Sequence, residues 1–196
     1  TILLGGSSAP ANLPNNVITT YGMTETGGGV VYNGKPLDNV EIKIEEGEIF
    51  LRCPMLMCGY RDEQTISLKG GWYATGDMGE IADTGILSVY GRKSDMIITG
   101  GENVWPSVVE ASLSSHPMLN QVVVRGTPDT NWGQRVVAYV VLNDSLRVSE
   151  ASLLSDLREH VKHTLPAFCA PQQVIVLDQI PRTSLGKVDA QALPTA

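Results

Sequence analysis

Two textures of apolar and polar positions follow one another along the chain. Thr1–Leu4 is largely apolar and runs straight into Gly5-Gly6-Ser7-Ser8, which reads as a buried strand opening onto a turn. Val17–Tyr21 reads as a second short strand after Pro14-Asn15-Asn16. Between Lys35 and Gly91 the alternation has period two. Val40–Ile44, Glu48–Arg52 and Ile86–Tyr90 each place apolar side chains on one face, with Gly, Pro and Asp turns between them. That pattern predicts a small antiparallel β-barrel or sandwich.

After Gly91 the period changes. Ser107–Ser115 reads as a helix that ends before His116-Pro117. Gln121–Arg125 and Val136–Leu142 read as strands. Ser149–His163 is an amphipathic helix with Leu153, Leu154, Leu157 and Val161 on its apolar side and Ser149 at its capping position. Gln173–Leu177 is a last strand. Two helices over a three-stranded sheet make an α+β unit of about 100 residues, enough to fold alone. The expected organisation is therefore residues 1–91, a connecting hinge at 92–95, and a C-terminal α+β domain at 96–196.

Composition narrows the class. The chain has 196 residues, of which 42% are hydrophobic and 18% charged, so it is a folding sequence and not a disordered tail. A chain this long buries roughly 70% of its unfolded surface. No apolar run approaches the ~20 residues of a membrane span, and no basic-led apolar segment opens the chain. Residues 1–91 carry 11 acidic and 5 basic side chains, and residues 92–196 carry 10 and 9. Neither part offers a basic stripe, so nucleic acid and integral membrane contact are not expected as partners. Cys53, Cys58 and Cys169 do not have zinc-knuckle spacing and read as free or buried thiols of a reducing, cytoplasmic compartment. His116, His160 and His163 lack the carboxylates of a metal motif and read as surface or core residues.

Five polar, glycine-rich clusters stand near strand ends. Gly5-Gly6-Ser7-Ser8-Ala9-Pro10 lets a flat ring lie close to backbone, although it also suits a plain turn. Tyr21-Gly22-Met23-Thr24-Glu25-Thr26-Gly27 joins a ring that can stack, a hydroxyl that can meet phosphate and a carboxylate that can hold Mg²⁺. Gly71–Asp77 reads as a tight turn whose carboxylate can accept both hydroxyls of a ribose; a simple hairpin is the alternative. Gly91–Pro106 combines charges with the pair Gly100-Gly101. Pro181–Lys187 carries a lone lysine after a glycine, which in isolation is an ordinary surface charge.

In this order the five clusters, with Leu165–Pro171 as a sixth, resemble the adenylate-forming superfamily of acyl-CoA synthetases, peptide-synthetase adenylation domains and luciferases. The resemblance covers essentially the whole chain. It implies an α+β fold: the end of a large adenylating domain, including a small antiparallel β-barrel, followed by a small α+β C-terminal domain. It implies a two-step ATP-dependent reaction, in which a carboxylate becomes an acyl-adenylate and a thiol, usually of coenzyme A, then displaces AMP. Position by position it implies that Gly5, Gly6, Ser7, Tyr21 and Gly22 border the adenine. Thr24 contacts phosphate, Glu25 holds Mg²⁺, and Asp77 binds the ribose with Arg92 assisting. Lys187 reaches the α-phosphate and carboxylate oxygens. Gly100, Gly101 and Trp132 lie toward coenzyme A, and Ser94 is the hinge at which the C-terminal domain changes orientation.

The run Tyr21–Val40 is similar to the compact 2-succinylbenzoate–CoA ligases of menaquinone synthesis. Other fatty or aromatic acyl-CoA ligases, and a non-catalytic nucleotide- or CoA-binding module, remain alternatives. The family's Ser/Thr/Gly-rich phosphate loop would lie before Thr1, so a C-terminal fragment is expected. Its unpaired edge strands would favour association into a homo-oligomer.

Overall fold

The computed structural model describes residues 1–5, 13–61, 65–143, 149–184 and 186–195. The chain divides into two compact units, Thr1–Ser94 and Asp95–Ala196. Among the described residues no helix is long and apolar enough to cross a membrane.

The first unit is built from short strands: β1 (Ile2–Leu4), β2 (Val17–Met23), β3 (Gly28–Tyr32), β4 (Lys35–Pro36), β5 (Glu41–Glu45), β6 (Glu48–Arg52), β7 (Leu68–Lys69), β8 (Trp72–Ile81) and β9 (Leu87–Arg92). They form two sheets. One runs β1-β2-β3-β4, with β1 parallel to β2 and the other pairs antiparallel. The other runs β5-β6-β8-β7 with β9 also on β8, and all its pairs are antiparallel. The strands expected from period two are present, but they form a five-stranded sheet whose pairing, among the described residues, does not close into a barrel. Ile42, Ile44, Ile49 and Leu51 form one cluster with Leu87 of the same sheet and with Val30 and Val31 of β3, and Tyr21 and Met23 pack against it. Two-residue periodicity is what puts these side chains together on one face.

The second unit contains β10 (Ile97–Thr99), β11 (Glu102–Val104), α1 (Pro106–Leu113), β12 (Leu119–Asp129), β13 (Gly133–Leu142), α2 (Glu150–Lys162) and β14 (Gln173–Val176). Its sheet has five strands, not three, because the hairpin β10–β11 adds two that are too short to show periodicity. β13 is central, antiparallel to β12 and parallel to β14. Both its faces are covered, which is why Val136–Val141 reads as an unbroken apolar run. Val136, Ala138 and Val140 face a core with Val109 and Leu113 of α1 and Leu153, Leu157 and Val161 of α2. Val137, Tyr139 and Val141 face a smaller core closed by Ile180, with Val188 and Leu193 packed on it. Helix α1 starts with Pro106, where a missing N–H costs nothing. Helix α2 is capped by Ser149, whose hydroxyl accepts from the Ser152 N–H at 3.3 Å.

Candidate functional site

In the first unit the chemistry gathers where β2, β8 and β9 meet. Asp77 lies within strand β8, not on the turn expected for Gly71–Asp77; the turn is confined to Gly70-Gly71. Its carboxylate is buried, with 7% of the residue exposed. The Tyr21 hydroxyl donates to Asp77 Oδ2 at 2.8 Å, and Arg92 Nε reaches Oδ1 at 3.0 Å. Asp77 and Arg92 are direct cross-strand partners on β8 and β9, so sheet register itself brings them together. Arg92 Nη1 also donates to the Thr75 carbonyl at 2.9 Å. The Thr75 hydroxyl accepts from the Asp77 N–H at 3.0 Å and donates to the Ile49 carbonyl at 2.7 Å. Burial, more than any neighbouring charge, pushes the Tyr21 phenol well above its ordinary range and keeps it a donor. The tyrosine and the arginine thus hold the two carboxylate oxygens of Asp77, one each.

Glu25 stands on a short 3₁₀ turn, Thr24–Thr26, directly after β2. Buried Thr26 makes that turn: its hydroxyl accepts from the Met23 N–H at 3.0 Å and lies 2.8 Å from the Gly28 carbonyl, to which it donates. The Met57 N–H donates to the Glu25 carbonyl at 2.8 Å. The Tyr60 hydroxyl donates to Glu25 Oε1 at 2.9 Å, leaving Oε2 without a hydrogen bond among the described residues. Thr24, its neighbour on the turn, is exposed. No group of three or more His, Cys, Asp or Glu side chains able to hold a metal occurs among the described residues. One hard carboxylate oxygen suits Mg²⁺, which keeps most of its waters and takes substrate phosphates as further ligands.

Beside β2 lies a cavity of about 250 Å³ lined by Gly5, Thr20, Gly22, Met23, Gly28 and Gly29. Gly22 has a steric reason to be glycine. A Cβ there would stand 2.0 Å from the Gly28 carbonyl oxygen, across the irregular pairing of β2 and β3. The floor is thus bare backbone, to which a flat ring can come close. Gly6 and Ser7 fall outside the described residues.

The second unit carries its candidate residues at exposed turns. Gly100 and Gly101 join β10 to β11 with φ of +60° and +85°. The Gly100 N–H donates to the Trp132 carbonyl at 2.9 Å, and a Cβ on Gly100 would meet the indole at 2.8 Å. The sequence offered no means of pairing these two segments; the structure joins them. Trp132 nonetheless keeps 53% of its surface exposed. Lys187 is exposed on a tight hairpin, closed by the Gly186 N–H to the Thr183 carbonyl at 2.9 Å and the Thr183 N–H to the Lys187 carbonyl at 2.7 Å. Arg182 braces it, donating to the Gly186 carbonyl at 2.9 Å and to Gln121 Oε1 of β12 at 3.3 Å. Ser94 lies in the 3₁₀ turn Lys93–Asp95, at the boundary of the two units.

Thr75, Tyr60 and Arg182 were not singled out by sequence. Each acts through a partner far along the chain, and no local spacing marks such a contact.

Residues 108–187 match the family model of the AMP-binding enzyme C-terminal domain. Over 98% of its length the chain is 39% identical to a probable 2-succinylbenzoate–CoA ligase of Mycobacterium tuberculosis, of which it covers 52%. It is 35% identical to the 2-succinylbenzoate–CoA ligase of Bacillus subtilis, with 95% of this chain and 44% of that one aligned. Among solved structures it resembles o-succinylbenzoate CoA synthetase from Bacillus subtilis in complex with the acyl-adenylate intermediate OSB-AMP. There the TM-score is 0.84 and the identity 34%, covering all of this chain and 46% of the other. The chain spans about half the length of the relatives it matches.

Proposed function

On the premise that residues 108–187 are an AMP-binding enzyme C-terminal domain, we propose that the chain serves an AMP-forming acid–thiol ligase. It activates a carboxylate as its adenylate and passes the acyl group to coenzyme A, and 2-succinylbenzoate is the acid. The observation that carries the reading is Asp77, a buried carboxylate within β8 held on its two oxygens by Tyr21 and Arg92. A carboxylate fixed in that way is suited to accept two adjacent ribose hydroxyls. The similarity to ligases of 2-succinylbenzoate supports the choice of acid.

In this reading the backbone around Gly5, Gly6, Ser7 and Gly22 and the Tyr21 ring border the adenine. Asp77 and Arg92 orient the ribose, and Thr24 meets phosphate. Glu25 holds Mg²⁺, which supplies charge neutralisation to the phosphates when bound. An acid oxygen attacks the α-phosphorus, the bond to pyrophosphate breaks, and the acyl-adenylate forms. Lys187 donates to the oxygens on which charge grows. In the second step the coenzyme A sulfur attacks the acyl carbonyl, and AMP leaves with the oxygen that joined it to the acyl group. Gly100, Gly101 and Trp132 line the approach of the thiol. Ser94 and its neighbours at 92–95 form the hinge by which residues 96–196 serve each step in turn. The protein works in the cytoplasm, where ATP and coenzyme A are present.

The test is carboxylate-dependent release of pyrophosphate with ATP and Mg²⁺, comparing 2-succinylbenzoate with a medium-chain fatty acid and with benzoate. Release that requires 2-succinylbenzoate supports the proposal. Preference for another acid would replace the substrate but keep the reaction. No release with any acid would overturn activity of the chain by itself.

A further inference from the structure

Glu25 is the one carboxylate to which the proposed reaction gives a metal, and a lone carboxylate on a three-residue turn is a poorly constrained ligand. The turn fixes its backbone, through Thr26 and the Met57 N–H. Among the described residues only Tyr60 is hydrogen-bonded to its side chain, at 2.9 Å on Oε1. Tyr73 of β8 stands near both groups: burial above all pushes its phenol well above the ordinary range, with Tyr60 and the Glu25 charge adding to the shift. Tyr73 also sits on the strand that carries Asp77.

We infer that Tyr60 is a positioning residue that fixes Oε1 of Glu25 so that Oε2 is presented to the divalent cation. The inference rests on the reading of Glu25 given above. Tyr60 donates its proton to a carboxylate oxygen, as outer partners of metal-bound carboxylates commonly do, and thereby restricts the rotamer without occupying the second oxygen. Tyr60 itself is 45% exposed and lies outside the apolar cores. Loss of its hydroxyl therefore leaves the fold intact, and its effect is confined to Glu25.

The experiment measures Mn²⁺, standing in for Mg²⁺, bound with ATP to the 196-residue chain, read by enhanced water-proton relaxation. That signal reports protein-bound metal and needs no turnover. Four proteins are compared: wild type, Tyr60→Phe, Glu25→Gln and the double variant, each checked for an unchanged far-ultraviolet circular dichroism spectrum. Tyr60→Phe is expected to weaken Mn²⁺ binding about tenfold, the low end of what loss of an outer hydrogen-bond partner costs a metal site. In the Glu25→Gln background the same change is expected to add nothing. Wild-type Mn²⁺ affinity in Tyr60→Phe, with Glu25→Gln impaired, would overturn the role of Tyr60 and leave the metal reading standing. A full further loss in the double variant would also overturn it, because Tyr60 would then act independently of Glu25. Unchanged binding in Glu25→Gln would remove the metal reading and the positioning role together.

Discussion

The two units hold their candidate groups in opposite ways. In Thr1–Ser94 the polar groups lie inside: Thr26, Thr75 and Asp77 are all buried, Thr26 satisfied within its own turn and Thr75 and Asp77 by bonds that run between strands. In Asp95–Ala196 the buried set is almost wholly apolar, two layers on a central strand, and Lys187 and Trp132 stand exposed on turns. A group that must hold a ligand in one pose benefits from a network that cannot relax. A group that must arrive for one step and leave for the next benefits from an exposed turn on a rigid body. On the proposed function the first unit would act as a binding floor and the second as a carrier.

The sharpest way to break that contrast is at the carrier's tip. Lys187→Ala should slow acyl-adenylate formation by about 10²–10³-fold, the usual cost of one preorganised donor to developing charge. Thioester formation from supplied acyl-adenylate should be spared, and single-turnover assays of the two steps would show it. Equal losses in both steps would mean that the lysine shapes the unit and does not act in the first reaction.

Packing should separate the units next. Leu153→Ala, fully buried between α2 and β13, should cost the second unit about 2–5 kcal/mol. Tyr21→Phe removes only the hydroxyl that donates to Asp77 and should cost the first unit about 1.5–3 kcal/mol. Hydrogen exchange resolved by segment reads both, and protection should fall in the mutated unit alone. Loss spread equally over both units would show that they are a single cooperative body.

The smallest effect is a pH slope in the carrier. The His116 ring packs edge-on against His160 at 4.9 Å between centroids. Burial first, and then His160, hold its pKa below the ordinary value, against a weaker pull from Asp156 in the other direction. The folded state thus binds this proton less readily than the unfolded state does. Its contribution is fully present above about pH 6.5 and is lost as pH falls through the lowered folded value. The urea midpoint of the second unit should therefore drop between about pH 7.5 and 5.5, and His116→Gln should flatten the slope.

Much of this was legible in the sequence because period carries fold. Leu153, Leu157 and Val161 at four-residue spacing mark α2, and the run through Val141 marks a strand covered on both faces. The hairpin β10–β11 was hidden, since three residues are too few to show a period and Gly100-Gly101 reads as a loop. Asp77 was expected on a turn running from Gly71; Gly76 before it has φ +71° inside a ten-residue strand, where the pairing with β6 is irregular. The expected closure into a barrel was not met, since alternation fixes which face is buried and not which edges meet. Of the candidate site, the residues on strands and their turns were visible one by one. Their partners were not: Tyr60 lies 35 residues from Glu25, and Tyr21 lies 56 from Asp77.

The most direct test of the first unit as a nucleotide floor is calorimetric titration of the chain with AMP, beside its Asp77→Asn variant. Asparagine keeps the shape of the side chain but not the charge or the second acceptor oxygen. Saturable AMP binding that weakens at least about tenfold in Asp77→Asn, with an unchanged circular dichroism spectrum, is the expected result. Equal affinity in the two proteins, or no binding by either, would contradict it.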